Sequence, residues 1–71
     1  MKGKSFRINL PTIAILSPDG DGHRIPITIP RNAVVTVEEE IDGDRLVDVF
    51  WEGKIVMMFT QDIRTRGVVI I

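Results

Sequence analysis

Residues 32–60 read NAVVTVEEE, IDGD, RLVDVFW, EG and KIVMMFT in succession, and this stretch decides the fold. Three runs rich in β-branched and aromatic residues alternate with two short segments that contain aspartate or glycine. Such runs favour β-strands, and short glycine-containing segments between them are typical of hairpin turns. The stretch therefore predicts a three-stranded antiparallel meander.

The second turn of the meander fixes the pairing of its last two strands. Glu52-Gly53 predicts a two-residue type I′ turn, in which both central residues have positive φ and glycine is favoured. Trp51 then faces Lys54, and Leu46 faces Phe59 at the other end. The predicted pairs between these ends are Phe50–Ile55, Val49–Val56, Asp48–Met57 and Val47–Met58.

The first turn offers two registers. A three-residue loop Ile41-Asp42-Gly43, with Gly43 in a G1 bulge, pairs Glu39 with Arg45. It also places Val37 opposite Val47 and Val35 opposite Val49. A two-residue Asp42-Gly43 turn would mix charged residues into the apolar face, so we favour the three-residue loop.

The pairing divides the meander into two faces, because successive side chains of a strand point to opposite sides. One face is uniformly apolar and is assigned to the core; it carries Val35, Val37, Val47, Val49, Trp51, Val56 and Met58. The opposite face should be solvated, but it also carries five large apolar residues, which we call the outer patch. The outer patch consists of Leu46, Phe50, Ile55, Met57 and Phe59. A monomer seldom leaves a large apolar patch uncovered, so this patch is the candidate partner-binding site.

Length and composition restrict the class of protein. The 71 residues predict one domain, with a flexible start at 1–5 and a single folded domain at 6–71. Without cysteine and with one histidine, His23, neither a disulfide nor a zinc site is expected, and no cofactor is predicted. Nine basic and ten acidic residues argue against non-specific nucleic-acid binding. The sequence has no apolar run of about 18 residues, so no membrane span is predicted. The cytoplasm is the expected compartment.

The first third of the chain predicts short strands between turns. Pro11 interrupts a β-rich region that runs over 6–16, since proline cannot donate to a strand ladder. Residues 17–23 are dense in turn formers and predict a hairpin turn; Asp19 and Asp21 lack the ligand spacing of a calcium loop. In residues 24–29 isoleucines alternate with other residues, and Pro26 lies on the side opposite to the isoleucines. A proline on one side of a strand predicts an edge strand.

The end of the chain departs from the strand pattern and then returns to it. Thr60 is predicted to cap a short helical turn that Gly67 ends in a left-handed conformation. Residues 68–71, VVII, predict a final strand. An apolar run without alternation is either buried on both faces or paired with another chain.

This order resembles the SH3-like small barrel. Five or six short antiparallel strands, two tight hairpins and a helical turn before the last strand follow one another from Thr12 to Ile71. The chain is also similar to short bacterial proteins that carry the run WEGKxVMMF, present here as residues 51–59, a resemblance that implies no activity. The resemblance to the small barrel implies an all-β fold. The register that pairs Leu46 with Phe59, independently of any family, makes the Trp51 side chain a core plug.

The known activities of such barrels depend on residues that this chain lacks. Proline-rich peptide recognition needs an aromatic-lined groove, which in SH3 domains is rich in tyrosine, and the chain has no tyrosine. Methyl-lysine readers need an aromatic cage, and four aromatic residues are too few to suggest one. Sm-like RNA binders begin with a helix that is not predicted here. These activities are therefore not transferred.

Three functional hypotheses follow from the residues. The first is a non-catalytic interaction or assembly module that binds itself or another protein through the outer patch, with a homo-oligomer expected. In its intramolecular alternative, the N-terminal segment with Phe6 and Ile8 folds over the outer patch. The second hypothesis is a nucleic-acid-binding barrel that uses Lys2, Lys4, Arg64 and Arg66. An enzyme is not expected, because cysteine is absent and His23 lies in a turn too mobile to orient a base.

Overall fold

The computed structural model describes residues 2–16, 24–41 and 45–70, apart from the side chains at 40 and 41. These residues form antiparallel strands and one short helix. The elements are β1 (Ser5–Ile8), β2 (Thr12–Leu16), β3 (Ile25–Ile29), β4 (Val34–Ile41), β5 (Leu46–Trp51), β6 (Lys54–Phe59), α1 (Thr60–Arg66) and β7 (Gly67–Val69).

One sheet contains all seven of these strands in the order β3-β2-β6-β5-β4-β1-β7. Every neighbouring pair is antiparallel. The sheet is open, because its end strands β3 and β7 do not pair with each other in the described part of the chain. The predicted all-β class with a helix before the last strand is confirmed, with seven strands instead of five or six.

The β5–β6 hairpin has the predicted register. Trp51 faces Lys54, Leu46 faces Phe59, and the four pairs between them also agree. Glu52 and Gly53 have φ of 50° and 79°, as the type I′ turn requires at both central positions. Lys54 Nζ lies 4.6 Å from the centroid of the Trp51 ring, so a cation–π contact covers the indole beside the turn.

The predicted β4–β5 register is wrong. Val37 faces Val49 rather than Val47, and Glu39 faces Asp48 rather than Arg45. The register shifts between Val37 and Glu39, which is a β-bulge that adds one residue to β4. In an unbroken strand Glu39 would share the buried side of Val37; the bulge moves it to the outer side. The predicted loop residues Asp42 and Gly43 lie outside the described residues.

The assignment of the core face is correct despite this error. The partner of Val37 is Val49 instead of Val47, and residues two apart in a strand lie on the same face. Six of the seven predicted core residues are buried and Trp51 is half-buried against them. Four further strand residues and one helix residue complete the core. These are Phe6, Ile8, Ala14, Ile29 and Ile63.

The ordered sheet begins before the predicted domain boundary. Ser5, expected within the flexible start, is the first residue of β1. Gly3 N donates to Val37 O at 2.8 Å, and Val37 N donates to Lys4 O at 2.9 Å. Pairing with β4 thus extends to Gly3, because the backbone groups of β4 need partners along their whole length.

The segments around the prolines agree with the sequence. β1 ends at Ile8 and β2 begins at Thr12, with Pro11 between them. β3, which contains Pro26, is an end strand of the sheet. β2 and β3 are antiparallel neighbours, as a hairpin requires, although its predicted turn at 17–23, with Asp19, Asp21 and His23, lies outside the described residues.

The predicted N-cap of α1 is wrong, while Gly67 ends the helix as predicted but without the predicted left-handed conformation. Phe59 is the N-cap residue and makes no side-chain cap bond, while Thr60 is already helical. Gly67 is extended, with φ −122° and ψ 159°, and its N–H donates to the carbonyl of Ile63. A Cβ atom at Gly67 would lie 2.7 Å from that oxygen, so glycine is required for close packing rather than for positive φ. No helix in the described ranges has the length and apolar character to cross a bilayer.

Candidate interaction surface

The outer patch lies on one side of the β5–β6 hairpin, as the register predicts. Leu46 faces Phe59 and Phe50 faces Ile55, on the side opposite to the buried Val47, Val49, Val56 and Met58. Phe50, Ile55 and Phe59 are 46%, 46% and 44% exposed. Leu46 and Met57 are half-buried. The structure therefore brings the five residues together on one face and leaves three of them open.

Strand β2 extends the outer patch with two isoleucines that the meander did not reveal. Ile15 faces Met57 across the β2–β6 ladder. Ile13 lies two residues away on the same face and is 57% exposed. The sequence contained these residues in the run TIAIL, but the pairing of β2 with β6 is a contact between distant segments that no local pattern predicts.

The size of the exposed apolar area limits what it can do. Ile13 and the three exposed residues of the outer patch together present about 350 Å² of apolar surface, which is comparable to the largest patches on monomers. Standard interfaces bury about 800 Å² on each partner. The outer patch is thus the right size for the apolar centre of an interface that also needs a polar rim.

Polar residues border the outer patch on the β4 side. Ser5 and Thr36 continue the row that begins with Ile55 and Phe50, and their hydroxyl oxygens are 2.8 Å apart. Further along β4, Glu39 faces the half-buried Asp48. Lys2 Nζ approaches Glu39 Oε2 to 3.6 Å and reduces the repulsion between these two carboxylates.

The N-terminal segment does not cover the outer patch. Phe6 and Ile8 are 8% and 0% exposed and belong to the core cluster. Phe6 faces Val35 across the β1–β4 ladder, so its side chain is on the buried side of the sheet. The intramolecular alternative is wrong because β1 pairs with β4 as a strand of the same sheet.

The last strand is exposed as well. Val68, Val69 and Ile70 are 42%, 51% and 45% exposed, so the expectation that this run is buried on both faces within its own chain is wrong. β7 pairs with β1 and is the other end strand of the sheet. Ile71, the last residue of the predicted strand, lies outside the described residues.

The four cations of the nucleic-acid hypothesis occupy different regions. Lys2 and Lys4 precede β1, and Lys2 is paired with Glu39. Arg64 and Arg66 lie on α1. The C-terminal end of α1 is joined to the C-terminal end of β1 by a hydrogen bond from Asn9 N to Arg66 O. The distance along the strand from Lys4 to Asn9 is about 16 Å. Arg66 Nη1 also donates to the carbonyl of Pro11 at 3.0 Å.

The structure places a different arginine beside Arg64. Arg45, which directly precedes β5, lines a cleft with Arg64 and three residues around the start of α1. No local sequence pattern predicts this pair, because the whole β5–β6 hairpin separates the two arginines along the chain. Among the described residues, no group of three histidine, aspartate or glutamate side chains could hold a metal ion.

Comparison with known proteins adds no assignment. No protein-family model, curated protein or solved structure matches this chain.

Proposed function

We propose that this chain is a non-catalytic protein-interaction module that self-associates through the outer patch. The observation that carries the proposal is the exposure of Phe50, Ile55 and Phe59 on one side of the β5–β6 hairpin, whose opposite side carries buried core residues. The β1 segment that could have covered them lies in the sheet itself.

The expected affinity is modest. The exposed apolar surface is smaller than the roughly 800 Å² that each partner buries in a standard interface. Loss of translational and rotational freedom costs about 4–15 kcal/mol, and ordering of rim side chains adds to this cost. We therefore expect reversible association in the micromolar range, with a second copy contributing the same patch about a two-fold axis.

The architecture supports a relation to SH3-like small barrels as part of this proposal. Short antiparallel strands, a tight β5–β6 turn and a helix immediately before the last strand follow the order of that fold. The proposal does not include peptide binding, since the aromatic groove that such binding requires has no counterpart in a chain without tyrosine. We place the module in the cytoplasm.

Sedimentation velocity over a range of micromolar concentrations tests self-association. The wild-type sedimentation coefficient should rise with concentration, and Phe50→Ser should remove the rise because Phe50 is a large aromatic residue of the outer patch that is 46% exposed. Leu10→Ser is the matched control, since Leu10 is 57% exposed and lies in the connection between β1 and β2, outside the strands β5 and β6 that carry the outer patch. A wild-type protein that stays monomeric throughout, or equal loss in both variants, would contradict the proposal.

The nucleic-acid hypothesis with Lys2, Lys4, Arg64 and Arg66 remains a second prediction without a specific observation in its favour. The acidic Glu39 beside Lys2 and the separation of the two cation pairs weigh against a continuous basic surface. Binding to single- or double-stranded DNA or RNA at low salt, weakening as salt increases, would support it.

A further inference from the structure

A cleft of about 310 Å³ lies where the start of β5 meets the start of α1. Its described lining consists of Arg45, Phe59, Thr60, Gln61 and Arg64. Thr60 N donates to Arg45 O at 3.0 Å, which fixes the two segments against each other. Both arginines are therefore held at one cleft by the backbone, although they are far apart in the sequence.

The lining is cationic and able to donate hydrogen bonds. A guanidinium group stays charged and binds phosphate or carboxylate oxygens through two parallel N–H donors. Arg45 and Arg64 supply two such groups, and the Gln61 side chain adds an amide. The described lining contains no acidic residue. Two positive charges at one cleft favour an anion, and a doubly charged one most.

Thr60 provides an observation independent of the charges. It is 3% exposed, and its Oγ1 has no hydrogen-bond partner in the described part of the chain. A buried hydroxyl without a partner is unfavourable, because it has lost its hydrogen bonds to water. Thr60 also lines the cleft, so a ligand oxygen bound there would be an acceptor within reach of its segment.

The cleft is larger than a bare inorganic anion requires. Its volume is near the lower end of the range of about 300–1,000 Å³ found for small-molecule pockets. Phe59, which is 44% exposed, forms an apolar wall next to the two arginines. The lining thus fits a ligand with an anionic head and a flat apolar body.

We propose that this cleft binds a small phosphate monoester, with the phosphate between Arg45 and Arg64 and the organic group against Phe59. Binding gives the Thr60 hydroxyl a phosphate oxygen as the partner it lacks. This site is separate from the self-association in the proposed function, although Phe59 borders both.

Amide chemical shifts in two-dimensional NMR test the site, with phenyl phosphate as the probe. The amides of Thr60, Gln61 and Arg64 should shift and saturate. Arg64→Gln and Arg45→Gln should each weaken binding by about tenfold or more, since a hydrogen bond to a charged group is lost. Arg31→Gln, which removes the same charge in the turn between β3 and β4, should bind like the wild type. Shifts that never saturate, or equal weakening by Arg31→Gln, would overturn the site.

Two further comparisons define the ligand and the role of the hydroxyl. Phenyl phosphate should bind more tightly than methyl phosphate, and equal affinities would overturn the role of Phe59. Adenosine 5′-monophosphate and free phosphotyrosine then distinguish a purine from a phenyl body. Thr60→Val should bind phenyl phosphate more weakly; unchanged binding would remove the hydroxyl from the site.

The titration repeated in Phe50→Ser separates this site from self-association. Phe50 does not line the cleft, so phenyl phosphate should bind this variant at least as tightly as the wild type, in which self-association competes for Phe59. Loss of binding in Phe50→Ser would contradict an independent site, whereas a monomeric wild type that binds the probe would contradict self-association alone.

Discussion

Two glycines of this chain are required for different physical reasons. Gly53 has φ 79° and open space around the position of a Cβ atom, so its requirement is conformational. Gly67 has an ordinary extended backbone, but a Cβ atom there would be 2.7 Å from the Ile63 carbonyl oxygen. In the sequence both glycines simply follow a charged residue. The structure shows that Gly53 is needed for a turn and Gly67 for a close contact.

Substitution by alanine should distinguish the two glycines. Gly67→Ala should lower the free energy of unfolding by about 1–3 kcal/mol through overlap with backbone that cannot easily move. Gly53→Ala should cost about 1–2 kcal/mol from the left-handed conformation alone. Urea unfolding at one protein concentration measures both.

Glu52 supplies the control for the turn. Its φ is 50°, which is unfavourable for a side chain other than glycine, asparagine or aspartate. Glu52→Asn should therefore raise the free energy of unfolding by a few tenths of a kcal/mol up to about 1 kcal/mol. If Gly67→Ala left the free energy of unfolding unchanged, the close contact with Ile63 would be contradicted.

Strand β6 shows how one element serves two surfaces. Val56 and Met58 are buried at 1% and 0% exposure, while Ile55 and Phe59 alternate with them on the outer side. The strand is therefore almost entirely apolar although one face is open. A continuous apolar run is usually evidence of burial on both faces; here its outer residues form the outer patch instead.

Alanine substitutions along β6 should follow this alternation. Met58→Ala should lower the free energy of unfolding by about 2–5 kcal/mol, since it leaves a cavity in the core. Ile55→Ala should cost less than about 1 kcal/mol, mainly from weaker strand packing. Chemical denaturation of the two variants makes the comparison, and similar losses would show that Ile55 is covered within the folded chain.

At the scale of the whole molecule, small size and self-association are linked. A chain of 71 residues buries only about 60% of the surface that its unfolded form exposes. It has no cysteine and so no disulfide. Burial of the outer patch in a dimer would stabilise the folded state by mass action, because the unfolded chain does not present the same surface.

Thermal unfolding should consequently depend on protein concentration. The Tm of the wild type should rise as the concentration increases, while that of Phe50→Ser should stay constant. Differential scanning calorimetry at several concentrations measures this, with Leu10→Ser expected to behave like the wild type. A concentration-independent wild-type Tm would mean that folding and self-association are not coupled.

The sequence by itself determined the sheet class, the β5–β6 register and the division of the meander into two faces. These follow from local rules: a two-residue turn fixes the pairing next to it, and alternation fixes the side of each residue. The five residues of the outer patch were predictable for the same reason. Even the wrong β4–β5 register preserved the core face, since the displacement of Val37 was two residues.

The tertiary structure alone decided the features that depend on contacts between distant segments. The β-bulge near Glu38, the pairing of β1 with β4, and the extension of the outer patch by Ile13 and Ile15 depend on which strands become neighbours. The cleft between Arg45 and Arg64 depends on where α1 docks. Local propensity cannot specify these contacts, because their free energy is gained only after the chain has closed the loops between them.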